Sequence, residues 1–389
     1  MREFNNNWQV KSLGEVAEVM TGYPFDSNLF NEKDGFPVVR IRDIKPGRTS
    51  TYYSGEVLED YIIKKGDYLI GMDGEFNLAE WKSRDALLNQ RTCKVVFDDN
   101  FIVPKYGFYF LPKKLKEIEN STAYVTVKHI SHKQILNIQI PLPPLPIQKQ
   151  IAQILEQADL AKQKRKEANK LTDEFLQSVF IEMFGDPNIN TFGWDIGTVN
   201  DAIEYSEYGS SNKSNEEKIG YPVLGMSNIT YEGQLDLTNL NYVQLTDAEF
   251  KKLKLEQGDI IFNRTNSTEL VGKTTYWNKS FDAVLASYLV KIKLNKKFNP
   301  TVFSFLLNTT HFKKMFVKRC KKAVGQSNIS PTLLKEFPIY FPPLSLQKQF
   351  AEIINKTDAL KEKQKQSEQE LENLFQSLMQ KAFKGELVS

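Results

Sequence analysis

The chain has 389 residues, with 51 Lys and Arg against 48 Asp and Glu and a formal net charge of +3. That length exceeds one ordinary core and predicts two or more domains, while so small a net charge neither demands nor excludes a nucleic-acid partner. No apolar run approaches a membrane span, Met1-Arg-Glu-Phe-Asn-Asn-Asn is not a secretory leader, and two cysteines, Cys93 and Cys320, make no disulfide framework or metal set, so a reducing cytosol is expected.

Residues 1 to 142 read as a mixed α/β domain. Trp8, Leu13, Val16 and Val19 predict an opening helix or turn packed on a core. The runs Val38-Val39, Tyr68-Leu69-Ile70 and Val95-Val96-Phe97, punctuated by Gly-Asp, Asp-Gly and Lys-Pro-Gly, predict strands and turns. A helix over Tyr106 to Ile118 is expected to be interrupted at Pro112. From Pro143 the chain runs Pro-Pro-Leu-Pro-Ile-Gln-Lys-Gln. Ile147, Ile151, Ile154, Ala158, Ala161, Arg165, Ala168, Thr172, Phe175 and Val179 then fall on alternating four- and three-residue steps, a heptad seam. Pro146 suits the first helical position, and Gly185-Asp186-Pro187 ends a helix about 55 Å long. Its stripe needs a partner helix.

The partner follows a second domain. Gly35-Phe36-Pro37-Val38 is answered by Gly220-Tyr221-Pro222-Val223, Gly66-Asp67 by Gly258-Asp259, Trp8 by Trp194 and Ile130-Ser131 by Ile329-Ser330. Pro342-Pro343-Leu344 then opens a helix whose Gln347 lies at a constant offset of 199 residues from Gln148. Leu346, Phe350, Ile353, Thr357, Leu360, Gln364, Ser367, Leu371, Leu374 and Leu378 keep the same register. The expected organisation is α+β: two similar mixed α/β domains at 1–142 and 187–341, joined by long antiparallel helices at 143–186 and 342–389. Thr357, Gln364 and Arg165 at core positions are expected to fix register.

Little catalytic chemistry is encoded. No Gly-rich phosphate loop precedes a helix, and no Walker-type Gly-x-x-x-x-Gly-Lys-Ser/Thr occurs. His129 and His132 have only His311 elsewhere, so no metal set forms. No Gly-x-Ser-x-Gly, Cys/His nucleophile pair or Gly-rich adenosylmethionine loop is present. The Pro-Pro pairs follow Leu142 and Phe341, where an amino-methyltransferase would carry Asn or Asp.

Charge distribution says more. Between Ala283 and Lys335 there is no Asp or Glu, while Lys291, Lys293, Lys296, Lys297, Lys313, Lys314, Lys318, Arg319, Lys321, Lys322 and Lys335 are present. A solvated basic face is the plain alternative, but so long an acid-free stretch in a nearly neutral chain points to phosphate. Lys291 and Lys293 alternate with Val290, Ile292 and Leu294 and are expected on the polar face of a strand. Lys313 to Lys322 read as a helix with Phe312 and Phe316 inward. Gln326, Ser327 and Asn328 follow in a polar loop. In the first domain Arg40, Arg42, Lys45 and Arg48 cluster on a strand and turn, and Asn89, Gln90 and Arg91 precede a strand. Lys128 and His129 lie in a second acid-free stretch, Asn120 to Leu155. Asn212, Lys213, Asn263, Arg264 and Asn266 have the same character. Arg suits guanine, and Asn and Gln suit adenine; each of these residues could equally serve as a loop hydrogen-bonder.

The whole chain resembles the specificity subunit of type I restriction–modification enzymes. The two Pro-Pro-Leu-x-x-Gln-Lys-Gln helices, the Gly-Asp strand in each domain, the loop Ala323 to Ile329 and the tandem plan carry the resemblance. It implies that each domain is a target recognition domain reading one half of a split double-stranded DNA site, the two related by a pseudo-twofold. The helices then form a coiled-coil spacer that seats two methyltransferase subunits, with Gln148, Gln150, Gln347 and Gln349 as candidate docking residues. Restriction subunits join that core in the cytoplasm. The chemistry, adenine methylation from S-adenosylmethionine, belongs to the methyltransferase, and ATP and Mg to the restriction partner; no cofactor is implied for this chain. The departure lies at Thr126-Val127-Lys128, which stands where the second domain has Gly325-Gln326-Ser327, so loop contacts do not carry across.

Two other classes compete: a two-domain adaptor that binds proteins, and an enzyme such as a fused methyltransferase or nuclease. Exchanging residues 1–142 for another such domain is expected to change the bases recognised in one half of the site only. Mapping methylated sites checks this, and a change in both halves contradicts a modular reading.

Overall fold

The computed structural model describes residues 8–121, 128–323 and 325–388. The chain divides into two compact units, Met1–Lys166 with Gln366–Ser389, and Glu167–Lys365. Each long helix, Leu145–Phe184 and Leu344–Lys384, therefore gives part of its length to each unit.

The first unit is built on a four-stranded antiparallel sheet. Its order is Ala17–Thr21, Thr92–Phe97, Tyr68–Gly71, Leu78–Glu80. A second sheet runs Phe36–Val39 parallel to Ala86–Leu88. Gln9–Ser12 pairs with Gln139–Leu142 just before the long helix begins. The opening segment is thus strand, single turn and strand rather than a helix. Glu15 closes the turn by accepting from the Ser12 N–H and hydroxyl, which leaves Leu13 and Val16 to fill the core. The helix Pro104–Ser121 passes through Pro112 without interruption. Pro112 is exposed, while Tyr106, Phe110, Leu111 and Leu115 bury the opposite face. That burial outweighs the lost N–H bond of one proline.

The second unit repeats the plan. Its sheet order is Ile203–Tyr208, Leu289–Leu294, Ile260–Asn263, Thr274–Tyr276. Tyr221–Leu224 runs parallel to Val284–Leu285, and Asp195–Thr198 pairs with Pro338–Phe341. Two helices, Pro300–Asn308 and Thr310–Arg319, stand where the first unit has one. The Gly-Asp repeat has a local cause. Gly66 and Gly258 take φ of 99° and 85°, a region that disfavours a Cβ. The next Asp then turns back: Asp67 accepts from the Lys64 N–H and Asp259 from the Glu256 N–H. The Asp67 and Asp259 carbonyls receive the N–H groups of Trp81 and Trp277, both fully buried.

Within each unit the long helices pair antiparallel. In the first, Lys162 meets Glu372 at 2.8 Å and lies over the Phe375 ring. In the second, Lys361 meets Asp173 at 2.6 Å and the buried Gln364 donates to the buried Thr172 at 2.9 Å. A buried polar pair of this kind fixes register, because sliding either helix strands both groups. The heptad seam needs correction on both helices. Phe175, Leu360 and Leu374 are 51, 48 and 50% exposed, while Leu176 is buried and Phe375 packs on the core. Past Thr172 the first helix packs on a whole domain, with Phe180 against Phe305 and Phe350. Its inward residues, Thr172, Leu176, Phe180 and Phe184, follow four-residue steps instead.

The first turn of each long helix carries the fold's tightest repeat. Gln148 Oε1 accepts from the Val103 N–H at 2.8 Å, and its Nε2 donates to the carbonyls of Phe101 and Pro143 at 3.0 and 2.9 Å. Gln347 does the same with the Asn299 N–H and the carbonyls of Lys297 and Pro342, at 2.8, 3.1 and 2.9 Å. Both amides are buried. Gln148 and Gln347 are therefore interior clamps, which corrects their expected docking role; Gln150 and Gln349 are exposed.

Replacing Gln148 by Ala orphans one buried N–H and two carbonyls, and is expected to cost about 2–4 kcal/mol. In a unit of this size that lowers Tm by about 5–10 °C, measurable by calorimetry. Gln150→Ala, at the surface, is expected to leave Tm nearly unchanged.

Candidate nucleic-acid interface

In the second unit the strand Ile260–Asn263 hands on to Thr265–Asn266. That segment pairs with Gln326–Asn328, which pairs with Lys321–Ala323. Candidates far apart in sequence thereby share one small sheet: Asn266, Lys322, Gln326, Ser327 and Asn328. Asn328 Nδ2 donates to Thr265 Oγ1 at 2.7 Å, and the hydroxyls of Ser327 and Thr268 lie 2.8 Å apart. Asn266 Oδ1 accepts from the Ser267 N–H. Ser327 is buried, so Gln326 and Lys322 supply the exposed groups. At the sheet's edge Arg264 Nε donates to the Ser287 carbonyl at 3.1 Å, and the guanidinium lies 5.0 Å from the Tyr208 ring. Asn212 and Lys213 stand elsewhere, on the loop where Asn212 Nδ2 donates to the Gln244 carbonyl.

The acid-free stretch separates into two kinds of cation. Lys291 is buried and donates to the carbonyls of Lys252 and Lys254, which close a short helix. Burial pushes its ammonium below the ordinary range. It does not line a polar face, because both faces of this strand are covered. Lys293 meets Glu256 at 2.6 Å and Asp259 at 3.5 Å. Lys313 donates to the Tyr231 carbonyl and caps the Tyr231 ring, and burial pushes it down to about 8. Arg319 meets Glu336 at 2.7 Å. Lys296, Lys297, Lys314, Lys318, Lys321 and Lys322 remain exposed, with no ion-pair partner among the described residues. The last four follow one another along the helix Thr310–Arg319 and into the small sheet that carries the exposed Gln326.

The first unit gathers its candidates around the loop between Gly71 and Leu78. The Gly74 N–H donates to the Lys128 carbonyl, and Asp73 bridges to His129. On the other side Lys45 Nζ meets Glu75 at 2.6 Å, which places the turn from Arg40 to Arg48 beside the same loop. Arg40, Arg42, Arg48 and Gln90 are exposed. Lys128 lies 3.8 Å from Glu119. The bond from Lys116, aided by the Phe76 N–H, holds the Glu119 carboxyl below its usual range. Arg91 points one nitrogen at Asp73, which also meets His129 Nδ1. Asp73 was not signalled by the sequence, since only the folded loop brings it to Arg91. Thr126, Val127 and Val324 lie outside the described residues.

Three of the base-contact candidates fail on burial. Asn89 and Asn263 are interior, with unpaired side-chain oxygens, and cannot present an edge to a base; Ser327 is spent inside its sheet. His132 donates inward to the Val19 carbonyl. The triplet Gly272-Lys273-Thr274 is no phosphate loop either, because buried Lys273 donates to the carbonyls of Met226 and Ile229. Among the described residues no cluster suits a metal ion and no helix is long and apolar enough to cross a membrane.

Known proteins are similar to this chain in sequence and in fold. A family profile described as Type I restriction modification DNA specificity domain matches residues 5–173 and again 192–373. The type I restriction enzyme EcoBI specificity subunit of Escherichia coli is 27% identical over 420 residues, spanning 99% of this chain and 87% of that protein. The EcoKI specificity subunit of Escherichia coli strain K12 is 23% identical over 421 residues, spanning 98% and 89%. Among solved structures, the S subunit of a type I system from M. genitalium aligns over 98% of both chains with a TM-score of 0.59 at 15% identity. A chain from a structural study of type I assembly and conformational transition aligns over 100% of both, with a TM-score of 0.57 at 19% identity. The structural likenesses concern the fold.

Replacing Lys314, Lys318, Lys321 and Lys322 together by Ala is expected to reduce the slope of log affinity for duplex DNA against log salt by about 3–4, at about 0.9 per phosphate contact. A titration series in salt checks this. An unchanged slope would remove this face from the interface.

Proposed function

This chain belongs to the type I restriction–modification DNA specificity family, and from that membership we propose that its two units read the two halves of one asymmetric, bipartite duplex DNA site. One observation carries the asymmetry. Both units offer the same platform, the loop after the third strand of the main sheet bridged to the segment before the last short helix. They furnish it differently. Asp73 and His129 bridge in the first unit, where Thr265 and Asn328 pair in the second. Similar scaffolds with different edge chemistry select different bases.

The same reading assigns the remaining parts. The exposed lysines and arginines hold phosphates and set position; the platform residues carry sequence information. The paired helices act as the spacer and seat two methyltransferase subunits, with Gln150 and Gln349 as exposed docking candidates. Restriction subunits complete the complex in the cytoplasm. S-adenosylmethionine serves the methyltransferase, and ATP and Mg serve the restriction subunit. This chain supplies recognition and no bond-making step.

Methylated adenines mapped across the genome test the proposal. Cells with the chain and its methyltransferase are expected to carry methylation at one asymmetric two-part motif. Cells lacking the chain lose it, and the purified chain alone transfers no methyl group. Methylation without a two-part motif, or methyl transfer by the chain alone, overturns the reading.

A further inference from the structure

We propose that Arg91 is the guanine-reading side chain of the first unit and that Asp73 is the positioning residue that aims it. The inference rests on the recognition function proposed above and adds a base and a residue to it.

The first observation is the backbone. Arg91 has φ of 69°, one of three non-glycine residues among those described to take a positive value. A residue with a long side chain adopts that region only when its surroundings impose it. They do so here. The Arg91 carbonyl accepts from the Met72 N–H at 2.9 Å, and the Thr92 hydroxyl donates to the Asn89 carbonyl just before it. The turn is locked at both ends, so the direction in which Arg91 leaves the backbone is fixed.

The second observation is the head group. Arg91 Nη1 lies 3.5 Å from Asp73 Oδ1 and 3.5 Å from His129 Nδ1. The Arg91 side chain is 55% exposed and that of Asp73 only 21%. A shielded carboxylate therefore engages one nitrogen of a half-exposed guanidinium. Nη2 and Nε have no partner among the described residues. A planar fork engaged at one nitrogen, with its other two nitrogens unpartnered among the described residues, matches the O6 and N7 acceptors of guanine. Adenine offers an acceptor and a donor at those positions and would strand one arginine N–H against its amino group. As a stability device the pair is a poor explanation, since an exposed ion pair contributes little and the left-handed backbone works against it.

The third observation is the comparison between units. The backbone position matching Arg91 is Tyr288, whose carbonyl accepts from the Arg264 N–H as that of Arg91 accepts from the Met72 N–H. The partner position matching Asp73 is Thr265. The second unit thus has no guanidinium–carboxylate pair at this place. The assignment is specific to the first half-site.

The test uses the full chain in complex with its methyltransferase subunits. Methylated sites are mapped for the wild type, and each position of the duplex is then substituted in competition binding. A guanine is expected in the half-site that follows residues 1–142 in domain exchange. Arg91→Ala is expected to reduce discrimination at that position by roughly 5- to 150-fold, with the other half-site unaltered. Placing 7-deazaguanine there is expected to weaken wild-type binding and leave Arg91→Ala unaffected. Asp73→Asn is expected to lower discrimination at the same position; a merely structural Asp73 would lower Tm with the base preference intact. Should Arg91→Ala fail to assemble, Arg91→Lys keeps the charge without the fork and is read in the same way. Unchanged preference in the assembled variants overturns the assignment and leaves the recognition function standing. A wild-type complex without base preference overturns both.

Discussion

Each unit depends on one buried glutamine. A long helix can pair with another along its length, yet pairing alone leaves its end free to pivot. Gln148 and Gln347 remove that freedom. Each amide accepts one backbone N–H and donates to two carbonyls, so the helix start is tied to the segment that opens the neighbouring helix and to its own leading proline. The six distances agree between copies within about 0.1 Å, although much of the surrounding sequence differs. A hydrophobic contact in the same place would tolerate a slide. An amide with three directional bonds in the interior does not, because any displacement leaves desolvated groups unpaired.

That rigidity explains how the units share a fold while their surfaces diverge. The sheet order, the parallel pair of short strands and the Gly-Asp turn over a buried tryptophan recur in both. The platform loops do not. In the second unit a three-stranded sheet supports Gln326 and Lys322, while in the first an arginine, an aspartate and a histidine converge. Recognition can change through loop side chains without disturbing the clamps, since no platform residue contributes to them.

Much of this architecture was legible in the sequence for physical reasons. The duplicated Pro-Pro-Leu start, the heptad steps and the Gly-Asp punctuation are local patterns set by helical period and backbone conformation. The exceptions arose where tertiary packing overrode a local rule. Pro112 was absorbed by a well-buried helix face. Phe175 lost its core place to Leu176 because the helix there faces a domain. Composition also hid the difference between Lys291, whose ammonium is used to satisfy two carbonyls, and Lys314, which is exposed. Asn89 and Asn263 have the right side chains for adenine, but a residue type does not reveal which way a strand end faces.

The division among cations bears on specificity. Charge on a mobile, exposed lysine attracts a phosphate from many directions and raises affinity for any duplex alike. Discrimination needs a donor whose direction is settled before the base arrives, or the ordering cost falls on the complex and blurs the difference between bases. Lys314, Lys318, Lys321 and Lys322 satisfy the first requirement through their freedom. Arg91 satisfies the second, with a turn locked by backbone bonds and a carboxylate engaging its guanidinium. Arg264 is also fixed, but by the Ser287 carbonyl and the Tyr208 ring, which occupy one edge and one face of its fork. Two arginines of equal charge thus acquire different capacities for reading a base from the groups that hold them.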